Sequence, residues 1–150
     1  MDISFKIADN SDSEILVQFI REFHEIEHLP CDDNTIRRVL AKLLHDDSLG
    51  RVWLIQLDSK SIGYIVLVFG YSLEFLGRDA FIDELYIQEI YRGQGIGTRA
   101  LQFVQEVSPS LEIQALHLEV DPINTAAQGL YRKMGFVEHD RYLMTKWLAK

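Results

Sequence analysis

The chain has 150 residues, 47% hydrophobic and 25% charged, which suits one soluble globular domain with a core of its own. A formal net charge of −8 argues against nucleic acid as the main partner. The single cysteine, Cys31, excludes an intrachain disulfide; neither the acid-bearing N-terminal stretch MDISFKIADNSDSE nor the short apolar run YIVLVFGY reads as a signal peptide or a membrane span. One domain over residues 1–150, in a reducing, cytoplasmic compartment, is the expectation.

Residues 3–8 (ISFKIA) alternate apolar and polar and read as a strand. Ser11 and Glu14 have the spacing of a capping box for a helix whose Ile15, Phe19, Ile20, Phe23 and Ile26 share one face. Pro30 closes that segment. A second helix is expected after the Asp32-Asp33-Asn34 cluster, burying Ile36, Val39, Leu40 and Leu43. HDDSLG is a loop. VWLIQL and IGYIVLVFGY flank Asp58-Ser59-Lys60-Ser61 and read as a hairpin. Residues 80–88 (AFIDELYIQ) read as another strand, and a helix runs from near Gly95 to about Val107, ahead of Pro109. ALHLEV reads as a strand. Asn124 caps a short helix that ends in Arg132, Lys133 and Gly135, and residues 141–147 (RYLMTKW) read as a final strand. The order β-α-α-β-β-β-α-β-α-β predicts an α/β or α+β arrangement around a mixed sheet.

Gly93, Gly95 and Gly97 fall between the central strand and the helix that follows it, with Arg92 in front. Backbone N–H groups in such a turn can wrap an anion, and the helix dipole favours negative charge at the same point. A P-loop is excluded, since no Gly-Lys-Ser/Thr follows. Gly95-Ile96-Gly97-Thr98-Arg99-Ala100 fits a dinucleotide fingerprint, with Glu119 at about the expected 20-residue offset. Against that reading, Gln88 to Arg92 separate the strand from the first glycine, and too little chain surrounds the motif for a complete dinucleotide domain. A glycine-rich turn without a ligand is the plain alternative.

A third pattern, R/Q-x-x-G-x-G/A, is met by Arg92-Gly93-Gln94-Gly95-Ile96-Gly97. A second stretch, from Asn124 through Ala127, Leu130, Tyr131 and Lys133 to Gly135 and Phe136, fits N-x-x-A…L-Y-x-K-x-G-F. With both motifs in this order the chain resembles the GNAT family of N-acetyltransferases, from the first strand to the last and most strongly over residues 80–137. The resemblance implies a mixed, mostly antiparallel central sheet flanked by helices, acetyl-CoA as co-substrate, and an amine acceptor. It implies that the backbone of Gly93, Gln94, Gly95, Ile96, Gly97 and Thr98 holds the pyrophosphate. Pantetheine would then lie along the main chain of Leu85, Tyr86 and Ile87. Arg92 would add charge or serve the loop structurally. Asn124 would cap its helix, touch the cofactor, or both.

Amide formation from a thioester needs a neutral amine, a polarised carbonyl and a proton for the departing thiolate. Tyr131 occupies the motif position where the family places a tyrosine facing the CoA sulfur, which implies a general acid; core packing is the alternative. Glu84 and Asp83 lie on the strand that should flank the thioester, and strand alternation sends them to opposite faces. The E-L-x-I pattern resembles the family's usual placement of an acid and favours Glu84 as base or proton relay, with Asp83 second. A solvated surface acid is the alternative for each.

Among His24, His28, His45, His117 and His139, only His24 and His28 have ligand spacing. HEIEH matches H-E-x-x-H literally, with Glu25 as the base of a zinc peptidase, but no third ligand is specified and no metal is expected. Glu22, Glu25, Glu27, Asp32 and Asp33 on the first two helices, with Asp79, Asp83 and Glu84 near the central strand, point to a small cationic amine as acceptor. Direct transfer in a ternary complex is expected, since nothing in the sequence places Cys31 near the thioester. A protein N-terminal or lysine acetyltransferase, or a non-catalytic acyl-CoA sensor, are the alternatives. No nucleic-acid or membrane partner is expected; the family is often dimeric, so a homodimer is a further expectation.

Overall fold

The computed structural model describes residues 2–149, which divide into two compact units, one running to Leu118 and one from Glu119 onward. The first contains β1 (Ile3–Ile7), α1 (Ser13–Ile26), α2 (Asp33–His45), β2 (Gly50–Leu57), β3 (Lys60–Ser72), β4 (Gly77–Ile87), α3 (Ile96–Val107) and β5 (Ala115–His117). Its sheet has the order β1-β2-β3-β4-β5; β1 to β4 pair antiparallel and β5 joins β4 in parallel. The second unit contains α4 (Thr125–Lys133).

Alternation along the strands sorts the apolar residues into two cores. Val52, Leu54, Tyr64, Val66 and Tyr86 face α1 and α2, where they meet Leu16, Phe19, Ile20 and Leu40. Trp53, Ile55, Ile65 and Leu67 face α3, where they meet Ile96, Ala100 and Val104. β3 is covered on both faces, which is why its sequence is a continuous apolar run rather than an alternating one. The β2–β3 turn at Asp58 and Ser59 has φ of 48° and 71°, the left-handed pair that matches strand twist in a two-residue hairpin.

Three expectations are corrected. The capping box is built by Asp9 and Asp12 around a short 3-10 turn, not by Ser11 and Glu14. Glu14 instead meets Arg37 of α2 at 2.6 Å. Helical periodicity overstates burial at the margins: Ile26, in the last turn of α1, and Val39 of α2 are about half exposed. Among the described residues no strand forms over 141–147, where Tyr142, Met144 and Trp147 are exposed. A strand exists only through a ladder, and an alternating pattern by itself supplies no partner.

Two irregularities of β4 set up everything that follows. Val66 of β3 stands opposite Glu84 and Leu67 opposite Ile82, so Asp83 is the extra residue of a β-bulge. The β4–β5 ladder covers only Asp79 to Phe81, while β4 continues to Ile87. The edge of β4 away from β3 is therefore without a strand partner from Ile82 onward, among the described residues. The expected strand ALHLEV is correspondingly shortened to Ala115–His117.

Candidate active site

The bulge overturns the alternation argument for the two acids. Ile82, Leu85 and Ile87 pack on the α3 side, whereas Tyr86 packs on the α1 side. The extra residue lets Asp83 and Glu84 both turn toward α1. Glu84 Oε1 accepts from the Tyr64 hydroxyl at 2.7 Å, and its Oε2 lies 2.7 Å from His24 Nε2. The charge of His24 also acts on Asp83.

The two carboxyls then have different surroundings. Glu84 is nearly buried, and each of its oxygens is engaged. Its partner Tyr64 is wholly buried; leaving such a hydroxyl unpaired would cost about 1–3 kcal/mol. Burial, then the adjoining Glu84 charge, pushes the Tyr64 phenol far above its ordinary pKa. Asp83 is open to solvent on one side and makes no side-chain hydrogen bond among the described residues. The protein wall behind it strips enough water to push its carboxyl above the usual range, and His24 only partly offsets this.

Next along β4, the buried Tyr86 donates to Glu22 Oε1 at 2.6 Å. Burial first, and then Glu22, pushes the Tyr86 phenol up to about 12. Burial also acts to raise Glu22, but hydrogen bonds from Tyr86, Gln18 and Gln88 outweigh it and hold that carboxyl below its usual range. The second half of α1 and the end of β4 leave two cavities that share Ile26 and Tyr86. The smaller, about 210 Å³, is lined by Phe23, Leu85, Ile87 and Arg92. The larger, about 360 Å³, carries Glu22, Glu25 and Glu89 and no basic residue.

Beyond Ile87 the chain makes a 3-10 turn and then enters the glycine loop. Gly93 and Gly95 have φ of 78° and 79°, a region that costs other residues about 1–2 kcal/mol. A Cβ built on either would meet nothing within 4 Å, so it is backbone conformation and not crowding that requires glycine there. Gly95 is the N-cap of α3 and offers no side-chain cap, leaving the first-turn N–H groups of Ile96, Gly97 and Thr98 open to an external acceptor. The Ile96 side chain points into the core and anchors that turn. Gln94 is exposed and Thr98 half-buried. Arg92 folds back: its Nε donates to the Ile87 carbonyl at 2.7 Å, and its guanidinium lies 5.7 Å from the Tyr86 ring centroid. It pins the loop to the strand.

In the second unit, Asn124 Oδ1 accepts from Ala127 N at 3.1 Å and caps α4. Tyr131 is half-buried, its ring edge-on to Phe136. Burial pushes its phenol above the ordinary value, so the hydroxyl keeps its proton at neutral pH.

The remaining candidates are drawn off elsewhere. α1 stops at Ile26 and His28 lies beyond it with φ of 56°, so His24 and His28 do not share a helix face. Asp32 caps α2 through Thr35, Asp33 pairs with Arg37 and Arg21, and Asp79 lies 3.0 Å from His117. Glu25 and Glu27 make no side-chain hydrogen bond among the described residues. Cys31 is exposed, but its neighbour Pro30 accepts from His24 Nδ1 at 2.8 Å, so this segment lies nearer the carboxylates than its sequence position suggests. Sequence reasoning missed Tyr64 and His24 as partners of Glu84; the one visible signal was HEIEH, weighed only as a metal motif.

A strand with a second edge lacking a strand partner among the described residues runs into a glycine-opened helix without a side-chain cap, with carboxylates further up the same strand, an arrangement whose backbone groups suit an extended, phosphate-bearing ligand. The chain belongs to the Acetyltransferase (GNAT) family, which it matches over residues 14–136. It is 28% identical over 142 residues to thialysine N-epsilon-acetyltransferase of Mus musculus, covering 85% of this chain and 80% of that one. The corresponding enzyme of Bos taurus is 35% identical over 74 residues; that match spans 49% of this chain and 43% of the relative, less than half its length. Among solved structures, an integron cassette protein from the mobile metagenome of Cole Harbour Salt Marsh superposes with a TM-score of 0.85 at 33% identity, covering 97% of this chain and 91% of that one.

Because its folded-state pKa is raised, Asp83 binds more protons in the folded than in the unfolded chain between the ordinary aspartate range and the raised value. Stability therefore falls as pH rises through that window, and ionised Asp83 is a cost at neutral pH. Asp83→Asn is expected to be the more stable protein at pH 7, by less than about 1 kcal/mol because the group is solvent-screened. Denaturation across pH should show the gap closing in acid; a gap independent of pH would contradict this origin.

Proposed function

We propose that the chain is an acetyl-CoA-dependent N-acetyltransferase that moves the acetyl group to a primary amine of a small cationic molecule, by direct transfer in a ternary complex. The observation that carries the acceptor class is the cavity beside Tyr86, whose Glu22, Glu25 and Glu89 face no lysine or arginine in its lining. Such a wall concentrates a cation and orients it. Relatives named for acetyl transfer to the ε-nitrogen of thialysine support the same class.

The donor end suits the group. The N–H groups of residues 93–98 would hold its pyrophosphate, and the free edge at Leu85, Tyr86 and Ile87 would take its pantetheine arm as an added strand. Acetyl-CoA, bound there, supplies the activated acetyl thioester. Asp83 is the base in this reading. It is the carboxyl with no internal partner, its raised pKa suits it to accept a proton from an ammonium group or through water, and it projects from the bulge. Glu84, the acid favoured by the motif, is committed to Tyr64 and His24. Tyr131 donates the proton that the departing thiolate needs, a role suited to a phenol that stays protonated.

The acceptor class is tested by kcat/KM for thialysine, spermidine, an aminoglycoside and a neutral arylamine at low and raised salt. The cations should lead by about tenfold or more and lose ground as salt screens the wall. Preference for the arylamine, or cation turnover indifferent to salt, would remove the electrostatic argument.

For the donor, Gly97→Asp is the informative change. A Cβ at Gly97 meets only Ile87 Cδ1, at 3.7 Å, and an acid in the first turn of α3 favours the helix, so the fold should persist. Like charge against pyrophosphate costs several kcal/mol, so CoA affinity should drop by about 100-fold or more by calorimetry. Tyr131→Phe should lower kcat roughly 10- to 1000-fold with little effect on acetyl-CoA affinity. An unchanged kcat, where chemistry limits turnover, would return Tyr131 to packing.

A further inference from the structure

His24 is held at both ring nitrogens by groups that accept. Nδ1 lies 2.8 Å from the Pro30 carbonyl oxygen, and Nε2 lies 2.7 Å from Glu84 Oε2. A carbonyl oxygen cannot donate, so Nδ1 carries a hydrogen. The Nε2–Oε2 contact needs one proton as well, whichever atom carries it. The other Glu84 oxygen takes the proton of the Tyr64 hydroxyl at 2.7 Å, from a side chain with no exposure to solvent. Each link thus has one donor and one acceptor. The chain ties the last turn of α1 and the loop after it to β3 and to the bulged residues of β4.

This connectivity rules on what His24 can do. A proton wire needs an outlet, and here the far end of the imidazole terminates on an amide carbonyl, which does not take up a proton. A relay from Glu84 through His24 to solvent has no exit by that route. What the arrangement supplies is fixity. Phe23 sits beside the links, its ring centroid 6.0 Å from that of His24 and 6.4 Å from that of Tyr64, so the aromatic packing and the hydrogen bonds hold one geometry together. Asp83 is next to the pinned Glu84 in sequence and is the bulge residue itself.

We propose that His24 is a positioning residue: with Glu84 and Tyr64 it forms a closed hydrogen-bonded clamp that fixes the β4 bulge and so sets the direction in which Asp83 meets the acceptor. The inference rests on the reading of the chain as an amine acetyltransferase. It assigns the H-E-I-E-H stretch a part in acyl transfer without a metal. Glu84 becomes a member of the clamp, and Asp83 the carboxyl that receives the proton.

The test uses the full-length protein with its best amine from the acceptor panel. His24→Ala should lower kcat by about 10- to 100-fold, the scale on which misplacing a reacting group acts, with KM for acetyl-CoA unchanged. His24→Gln, whose side-chain amide can still donate to Glu84, should recover most of that loss. The double variant His24→Ala with Glu84→Gln should be no slower than the slower single variant, because one clamp is broken once. Independently of activity, NMR of histidine-labelled protein should show a hydrogen on His24 Nδ1, with the Nε2 signal shifted in Glu84→Gln. Unchanged kcat in folded His24→Ala, losses that multiply in the double variant, or a His24 ring lacking the Nδ1 hydrogen would each overturn the clamp. If His24→Ala does not fold, the His24→Gln and Glu84→Gln kinetics and the wild-type NMR decide. Failure of the wild-type protein to acetylate any amine would refute the acetyltransferase reading, while the ring-proton measurement would still decide the hydrogen-bond arrangement.

Discussion

One extra residue in β4 governs the chemistry available to this fold. In a regular antiparallel ladder adjacent side chains face opposite ways, so one of Asp83 and Glu84 would lie under α3 among apolar residues. The bulge opposite Val66 and Leu67 removes that conflict. It sends both acids to the α1 side and resumes the alternation beyond them, so that Leu85 and Ile87 rejoin the α3 core and Tyr86 the other. Two carboxyls side by side repel, and the structure separates their roles by their surroundings. Glu84 turns inward to Tyr64 and His24. Asp83 keeps a free carboxyl at the surface, with its pKa pushed up by the protein behind it.

The second constraint is the shortness of β5. Backbone groups along β4 need partners, and β5 supplies them only as far as Phe81. Beyond that point the strand has a satisfied edge toward β3 and an open one. The open edge leads to Arg92, which ties the loop back to Ile87, and then to a helix whose first turn has no side-chain cap. These are two forms of the same physical condition, backbone groups without protein partners among the described residues, met first along the strand edge and again, past the 3-10 turn, in the first turn of α3. An extended ligand with an amide-bearing arm and an anionic end matches that order. The glycines matter here through conformation: Gly93 and Gly95 take left-handed φ, and no neighbouring atom crowds either position.

Much of this was legible in the sequence. The elements of the first unit follow from periodicity and punctuation, and the glycine motif falls where it was expected, between β4 and α3. What could not be read was pairing. The bulge arises from how β3 and β4 align, and alternation within β4 gives no sign of it. The tie between His24 and Glu84 spans 60 positions and depends on where α1 crosses the sheet. The Asp9–Asp12 cap displaces the Ser11–Glu14 box because Asp9 takes the Ser11 N–H and hydroxyl while Arg37 takes Glu14. Residues 141–147 failed as a strand for the same reason in reverse, an adequate pattern with no ladder to join.

The distribution of acidic side chains shows why counting charges overstates a binding site. Eight acids around α1, α2 and β4 suggest a broad anionic rim, but hydrogen-bond chemistry assigns half of them other work. Asp32 and Asp33 build and brace α2, Asp79 holds His117, and Glu84 is bonded to Tyr64 and His24. Each of these carboxylates is engaged by a neighbour within the fold. Glu25, without a side-chain hydrogen bond among the described residues, and Glu22, held anionic by Tyr86 and its neighbours, stand with Glu89 in a single cavity wall. Glu89 lies beyond the strand and was not among the eight. In the proposed reading the attraction for a cation comes from these few carboxylates of one cavity wall, and a net charge of −8 would be compatible with their absence.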